Sequence, residues 1–475
     1  MRPILKIALF VYLFTLKVNA QSYFNKLYDY DNTNTFNNAA TSGIVFSNGD
    51  ALFATTKYFS SSFSGLHFIR VDATGDTLFS KRYPKSNCAY YTGLSGAMTQ
   101  CLDGTLVLAG YYYDSSLTQS DVLLVKLDQY GDTIWTKNYG GLNNDYAFAV
   151  HQTQDKGYIL LGGTQSFSMG SAPDFYLIKT DSLGVFQWQQ TYGTTLAEDC
   201  AAGQITLDEG FVMSGIKNSL LYALKTDSSG NYEWDIQIPG TAGTGYIKQL
   251  ADSTYILVGA KFISGLSYQA YMAKLSKFGV VIWEKTFGDA GDQQFYAVPL
   301  ILNDGSIVCS GISTVGANPW GLLIKTDSLG NQQWLRTYYA NPSNDNYIYD
   351  VKQASDNSFV LFGTASITGQ DAWVVKVDSA GCEIANCNVG VEELQVESSK
   401  LKVYPNPAST QINISIEGED IEDYEIAIMN VLGETQKVNI DQSAISVSEL
   451  SSGIYFLSAV SKDGRHRLTQ KFVKE

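Results

Sequence analysis

KLDQYGDTIWTKNYG, Lys126 to Gly140, decides the fold because the chain repeats it. The phrase returns as KTDSLGVFQWQQTYG from Lys179, KTDSSGNYEWDIQIPG from Lys225, KLSKFGVVIWEKTFG from Lys274 and KTDSLGNQQWLRTYY from Lys325. Fainter copies are RVDATGDTLFSKRYP from Arg70 and KVDSAGCEIANC from Lys376. The shared glycine falls at Gly75, Gly131, Gly184, Gly230, Gly279, Gly330 and Gly381, a period of 46 to 56 residues. Self-similarity at such a period marks an array of supersecondary units, each unable to bury its apolar face alone.

Working outward, each unit reads as four short strands. In the third, DYAFAVHQTQ is followed by a turn at Asp155 to Gly157, then YILLGGTQ, DFYLIKTD, the turn ending at Gly184, and VFQWQQTY. Alternation with β-branched and aromatic content marks strands, and Asp with Gly marks hairpins. No window sustains a 3.6-residue apolar period, so helices are expected to be few. Four antiparallel strands repeated seven times predict an all-β, seven-bladed β-propeller over residues 21–387.

Ring closure follows from an aromatic four residues after the glycine: Phe79, Trp135, Trp188, Trp234, Trp283 and Trp334. After Gly381 that place holds Ala385, and the missing strand is found at the other end of the chain. Phe24 to Tyr28 has the same aromatic spacing as Trp135 and Tyr139. The N-terminal strand is therefore expected to complete the last blade and remove an exposed edge. Residues four apart in a strand share a face, so these aromatics are expected to pack between blades.

The 475 residues carry 47 acidic and 32 basic side chains, a net charge of −15, which disfavours a nucleic-acid partner. With three histidines, His67, His151 and His466, there is little material for a His-rich zinc site or a Ser-His-Asp triad. G-x-S-x-G, H-E-x-x-H and phosphate-loop motifs are absent. The Asp-x-x-Gly turns lack the further carboxylates of a calcium loop, so no metal, cofactor or catalytic residue is assigned. Of six cysteines, Cys382 and Cys387 are placed for a local disulfide, and the others are expected as small buried hydrophobes.

Residues 1–20 join a basic start, Arg2 and Lys6, to an apolar core and Val18-Asn19-Ala20, the pattern of a secretory signal peptide. Nothing later approaches the roughly 20 apolar residues of a membrane helix. The mature chain is thus expected to have no membrane span.

Candidate site residues come from the blade plan. Asp145, Asp199, Asp292 and Asp345 fall just before the innermost strands of their units, and Asp121, Asp174 and Asp371 open third strands. Both connections lie at one end of a four-stranded meander, so an acidic rosette is expected around one funnel, with Trp320, Tyr176 and Trp373 beside it. Such a face could take a glycan or a protein ligand; capping and solubility are the plain alternative.

Residues 388–400 have the composition of a linker. The alternating runs of residues 401–475 describe a small β-sandwich. It carries Tyr404-Pro405-Asn406-Pro407-Ala408, NVLGE around Gly433, LSSGIYFL around Gly453, and the terminal Lys471-Phe472-Val473-Lys474. In order and position this set resembles the type A C-terminal sorting domain of the type IX secretion system of Bacteroidota. The resemblance implies Sec export to the periplasm, recognition by the outer-membrane translocon, removal by a sorting protease, and cargo released or attached to the cell surface. The upstream repeats look like the tandem-repeat propellers found before such domains. The expected protein is a secreted or surface-attached, non-catalytic binding module. The alternative is a polysaccharide hydrolase or lyase using the acidic funnel residues.

Overall fold

The structure is a computed structural model describing residues 23–28, 39–60, 63–83, 88–114, 119–288, 291–315, 318–366, 370–383, 401–416, 420–430, 435–436, 440–441, 444–462 and 467–475. The expected signal peptide, the linker, Cys387 and Gly433 lie outside the described residues. The chain divides into two units, Met1–Ala385 and Asn386–Glu475.

The first unit is a succession of antiparallel sheets whose strands follow chain order. Sheet 1 comprises Ser42–Val45, Ala51–Ser60, Phe63–Val71 and Thr77–Tyr83. Sheet 2 holds Leu106–Asp114, Ser120–Leu127 and Thr133–Tyr139, with an innermost strand broken into Cys88–Thr92 and Met98–Gln100. Sheet 3 is Asp145–Gln152, Tyr158–Thr164, Asp174–Thr180 and Phe186–Tyr192. Sheet 4 is Glu198–Ile205, Phe211–Lys217, Leu220–Thr226 and Tyr232–Gln237. Sheet 5 is Thr241–Gln249, Tyr255–Ile263, Ser267–Leu275 and Val281–Phe287. Sheet 6 again breaks its innermost strand, into Gln293–Phe295 and Leu300–Ile301, before Ile307–Val315, Asn318–Thr326 and Gln332–Tyr338. Sheet 7 is Asn346–Gln353, Phe359–Ser366 and Gln370–Val377, and its fourth strand is Phe24–Tyr28.

That last pairing is the expected closure: Phe24 lies opposite Lys376 and Tyr28 opposite Ala372. Each sheet shares a separate apolar core with the next, from Leu52 and Phe68 against Leu106 and Leu123 of sheets 1 and 2 onward. The seventh shares one with the first, where Phe24, Phe362 and Val374 meet Phe53 and Ile69.

The repeated phrase is the joint between sheets. Each aligned glycine lies under the aromatic ring of the preceding sheet's fourth strand: Phe24 on Gly75, Phe79 on Gly131, Trp135 on Gly184, Trp188 on Gly230, Trp234 on Gly279, Trp283 on Gly330 and Trp334 on Gly381. At Gly330 the backbone has φ +78° and an added Cβ would stand 2.6 Å from the Trp283 ring, so turn geometry and packing both require glycine. The tyrosine four residues after the aromatic pins the same turn. Tyr28, Tyr139, Tyr192 and Tyr338 donate to the carbonyls of Gly75 (2.8 Å), Gly184 (2.7 Å), Gly230 (2.5 Å) and Gly381 (2.8 Å). Tyr83 does the same to Gly131.

In six of the seven copies the cation that opens the phrase pairs within its own sheet with the aspartate of the first hairpin. The pairs are Arg70 with Asp50 (3.0 Å), Lys126 with Asp103 (3.4 Å), Lys179 with Asp155 (2.7 Å), Lys225 with Asp208 (3.0 Å), Lys274 with Asp252 (3.1 Å) and Lys376 with Asp356 (3.2 Å). At Asp155, burial opposes the charged form, but hydrogen bonds from Lys179, Thr153 and the Gly157 N–H outweigh it and hold the carboxyl down at about 2.

Cys88, Cys101, Cys200 and Cys309 are buried, and Cys382 is disulfide-bonded. The second unit has two antiparallel sheets. Leu401–Tyr404, Gln411–Ile416, Ala444–Ser446 and Ile440–Asp441 form one; Thr435–Gln436, Tyr424–Asn430, Gly453–Ser461 and Arg467–Lys474 form the other. They share a core in which Ile412, Ile414 and Ile445 meet Ile428, Leu457 and Phe472. Asn406 ties the first motif to the terminal strand, donating to the Lys471 carbonyl (3.2 Å) and accepting the Val473 N–H (2.9 Å). Ala408 continues the link to Val473 and Glu475.

Candidate functional site

The acidic residues cluster at the strand ends where the fourth-to-first and second-to-third connections meet. Asp145 is fully buried; its carboxylate accepts from the Gly141 N–H (2.8 Å), Ser166 Oγ (2.6 Å) and the Thr164 hydroxyl. Asp174 is also buried and accepts the Met169 N–H at 2.9 Å. Burial, and after it the charge of Glu198, pushes its carboxyl up. Asp121 is half-buried beneath the Tyr112 hydroxyl at 3.3 Å, and burial with the charge of Asp145 raises it too. Asp371 is buried.

These acids form a repeated structural arrangement. A Cβ on Gly140 would fall 2.2 Å from Asp121 Oδ1 and 2.9 Å from Asp145 Oδ2, and one on Gly193 2.2 Å from Asp174. The same close approach occurs between sheets 5 and 6, where Gly288 would meet Gln293 at 2.1 Å and Gln269 at 2.6 Å. Carboxamides thus stand where carboxylates stand elsewhere, as capping requires and proton transfer does not.

The other candidates are half-buried. Asp199 accepts the Tyr146 hydroxyl at 2.5 Å, and burial raises its carboxyl above the usual range. Asp292 accepts the Tyr268 N–H (3.0 Å) and the Ser267 hydroxyl. Asp345 accepts from Tyr347 at 3.4 Å. Trp320 donates Nε1 to the Pro342 carbonyl (3.3 Å), and its ring lies 4.8 Å from that of Tyr339. The rosette is therefore distributed over several loops, with three of its seven aspartates, Asp145, Asp174 and Asp371, buried.

The structure adds tyrosines that sequence reasoning did not select. Tyr91 and Tyr111 stack at 4.9 Å and 12°, and Tyr113 meets both edge-on. Tyr146 packs on Phe148 at 4.9 Å, and Tyr347 stacks on Tyr349 at 6.0 Å and 3°. All are half-buried. Burial pushes the Tyr111 hydroxyl up to about 12, so it acts as a neutral donor. A cavity of about 280 Å³ beside the first pair is lined by Ala39, Thr41, Thr56, Tyr91, Thr92, Tyr111 and Gln370. The available signal was the tyrosine density of CAYYT (88–92), YYYD (111–114) and YIYD (347–350), where tyrosines stand next to each other or two residues apart within one strand.

Beneath the tyrosines, residues 93–97 cross the space between the innermost strands. The Val298 N–H donates to Ser95 Oγ (3.1 Å), which donates to Asp350 Oδ1 (3.2 Å). Val150 N–H donates to the Gly96 carbonyl (3.3 Å), and Thr41 Oγ1 to that of Gly93 (2.6 Å). Leu94 packs on the cluster of Ala201, Ala202 and Tyr246. Sheets 1, 3, 6 and 7 are thereby bonded to one segment of sheet 2, giving the tyrosine face a floor.

Among the described residues, no group of three His, Cys, Asp or Glu side chains is placed to hold a metal. No described helix is long and apolar enough to cross a membrane.

These features define an all-β protein of consecutive four-stranded antiparallel sheets with an aromatic and acidic face, followed by a separate C-terminal unit. Residues 402–475 match the family model of the secretion system C-terminal sorting domain, and that unit belongs to the type IX sorting domains. The protein is accordingly one that the type IX system handles, secreted or placed at the cell surface. No curated protein matches the chain. Among solved structures it is similar to PorZ, a surface component of the type IX secretion system of Porphyromonas gingivalis, at 10% identity over 91% of this chain and 74% of that one, TM-score 0.33. It is similar also to the polysaccharide lyase Uly1, at 9% identity over 77% and 93%, TM-score 0.44. The α-L-arabinanase of Penicillium chrysogenum matches at 12% identity over 75% and 99%, TM-score 0.44.

Proposed function

We propose that residues 21–387 are a seven-bladed β-propeller, that residues 401–475 are a β-sandwich carrying the sorting signal, and that the protein is a non-catalytic binding module. Its ligand, a glycan or a surface protein, lies on the tyrosine face. One observation carries this reading: half-exposed tyrosine rings from sheets 2, 3 and 7 stand over a floored space, while the neighbouring aspartates are engaged by loop donors and tyrosine hydroxyls. Ring faces and neutral hydroxyls offer apolar area together with hydrogen bonds, which suits sugars and protein side chains alike. Delivery through the periplasm and removal of the tail belong to the same proposal.

A glycan-array and surface-protein screen with the purified full chain tests it. Tyr111→Ala is expected to weaken the selected ligand by about tenfold or more with the melting curve retained. The enzyme reading, a polysaccharide hydrolase or lyase, draws on one feature, the adjacent Asp121 and Asp145 with the raised carboxyl of Asp121. Cleavage of a screened polysaccharide that disappears in Asp121→Asn would replace the binding reading with that one.

A further inference from the structure

The opposite end of the innermost strands, where the first hairpins turn, carries three basic side chains at one level. His151, Lys248 and Lys352 occupy equivalent positions in sheets 3, 5 and 7, facing Ile159, Ile256 and Val360 across the pair with the second strand. Their partners differ. The carbonyl of Gly203 can only accept, so His151 Nε2 donates to it at 2.8 Å, and burial lowers the ring's pKa to about 4, which keeps it neutral near pH 7. Lys352 lies 2.9 Å from Oδ1 of Asp350, a fully buried carboxylate that also accepts the Gly43 N–H and the Ser95 hydroxyl. Lys248 has no hydrogen-bond or ion-pair partner among the described residues.

That isolation sets Lys248 apart from five of the lysines of the third strands. Lys126, Lys179, Lys225, Lys274 and Lys376 each face a turn aspartate. Burial, and after it the nearby Lys352 ammonium, lowers the Lys248 pKa, and no carboxylate counters them. A half-buried ammonium next to a second one is unfavourable until a negative charge shares the space. Asp350, the carboxylate beside Lys352, is already shared with the Gly43 and Val351 N–H groups and the Ser95 hydroxyl.

We propose that Lys248 and Lys352 form a binding site for one oxyanion group, a sulfate, phosphate or carboxylate, at the hairpin end of the innermost strands. Ammonium groups act as compact charges with freely turning donors, so the site selects for charge and size and not for planar geometry. The group could arrive as a free inorganic ion or as the carboxylate of a uronic acid.

Thermal melts of the purified full chain in sodium sulfate, sodium glucuronate and sodium chloride at matched ionic strength test the site. Sulfate stabilises many proteins through exclusion from their surface, so the decisive quantity is the difference between variants. In the wild type, sulfate is expected to raise Tm by about 2 °C or more over chloride. Lys248→Met should lose that increment and Lys248→Arg should keep it. A matching rise in glucuronate would assign a sugar carboxylate, and a rise in sulfate alone a free oxyanion; both support the site. Equal increments in wild type and Lys248→Met, or none in either, overturn it. Should Lys248→Met fail to fold, sulfate titration of the wild type by calorimetry decides, and heats that do not saturate refute the proposal.

Discussion

Gly330 bears the Trp283 ring where any other residue would carry a side chain, at a backbone φ of +78°. Gly330→Ala is therefore expected to cost about 1–3 kcal/mol, measured as a lower urea midpoint with an unchanged slope. The requirement was visible in the sequence, since glycine, aromatic and tyrosine recur at fixed offsets whose geometry follows from strand alternation. The fate of the aspartates was not. Asp145 and Asp199 are the first and second residues of innermost strands, yet one is sealed beneath Gly141 and Ser166 while the other accepts a tyrosine hydroxyl. Which donors reach a carboxylate depends on loops folded back from elsewhere in the chain. The tyrosines were passed over because a tyrosine in an alternating strand fits a packed core as well as an open face, and only burial separates the two.

At the scale of the element, Phe24–Tyr28 matters most. Phe24 covers Gly75 and Tyr28 donates to its carbonyl, the same two contacts that Trp135 and Tyr139 make with Gly184. Without this strand, Gln370–Val377 becomes an unpaired edge and the core between sheets 7 and 1 opens. Phe24→Ala is expected to destabilise the first unit by about 3 kcal/mol in equilibrium denaturation. An unchanged midpoint would show that the closing strand contributes little. The joint tolerates variation: sheet 4 lacks the tyrosine, and there Trp234 donates Nε1 to the Lys277 carbonyl at 3.0 Å.

For the whole molecule, the division of labour follows the two units. The C-terminal unit has its own core, and Asn406 binds the first sorting motif to the terminal strand, so motifs some 65 residues apart in sequence form one surface. Deleting residues 401–475 is expected to leave the first unit folded but absent from the cell surface, as checked by fractionation and surface labelling. Surface delivery of the truncated chain would contradict the role of the tail. Sequence alone determined the strand pattern, the repeat, the closing strand and the sorting tail, because each is written in local periodicity or in ordered motifs. Tertiary structure alone decided which aspartates are sealed, that segment 93–97 floors the tyrosine face, and that Lys248 lacks a counter-charge. Those outcomes depend on contacts such as Ser95 with Asp350, residues brought together only when the last sheet closes on the first.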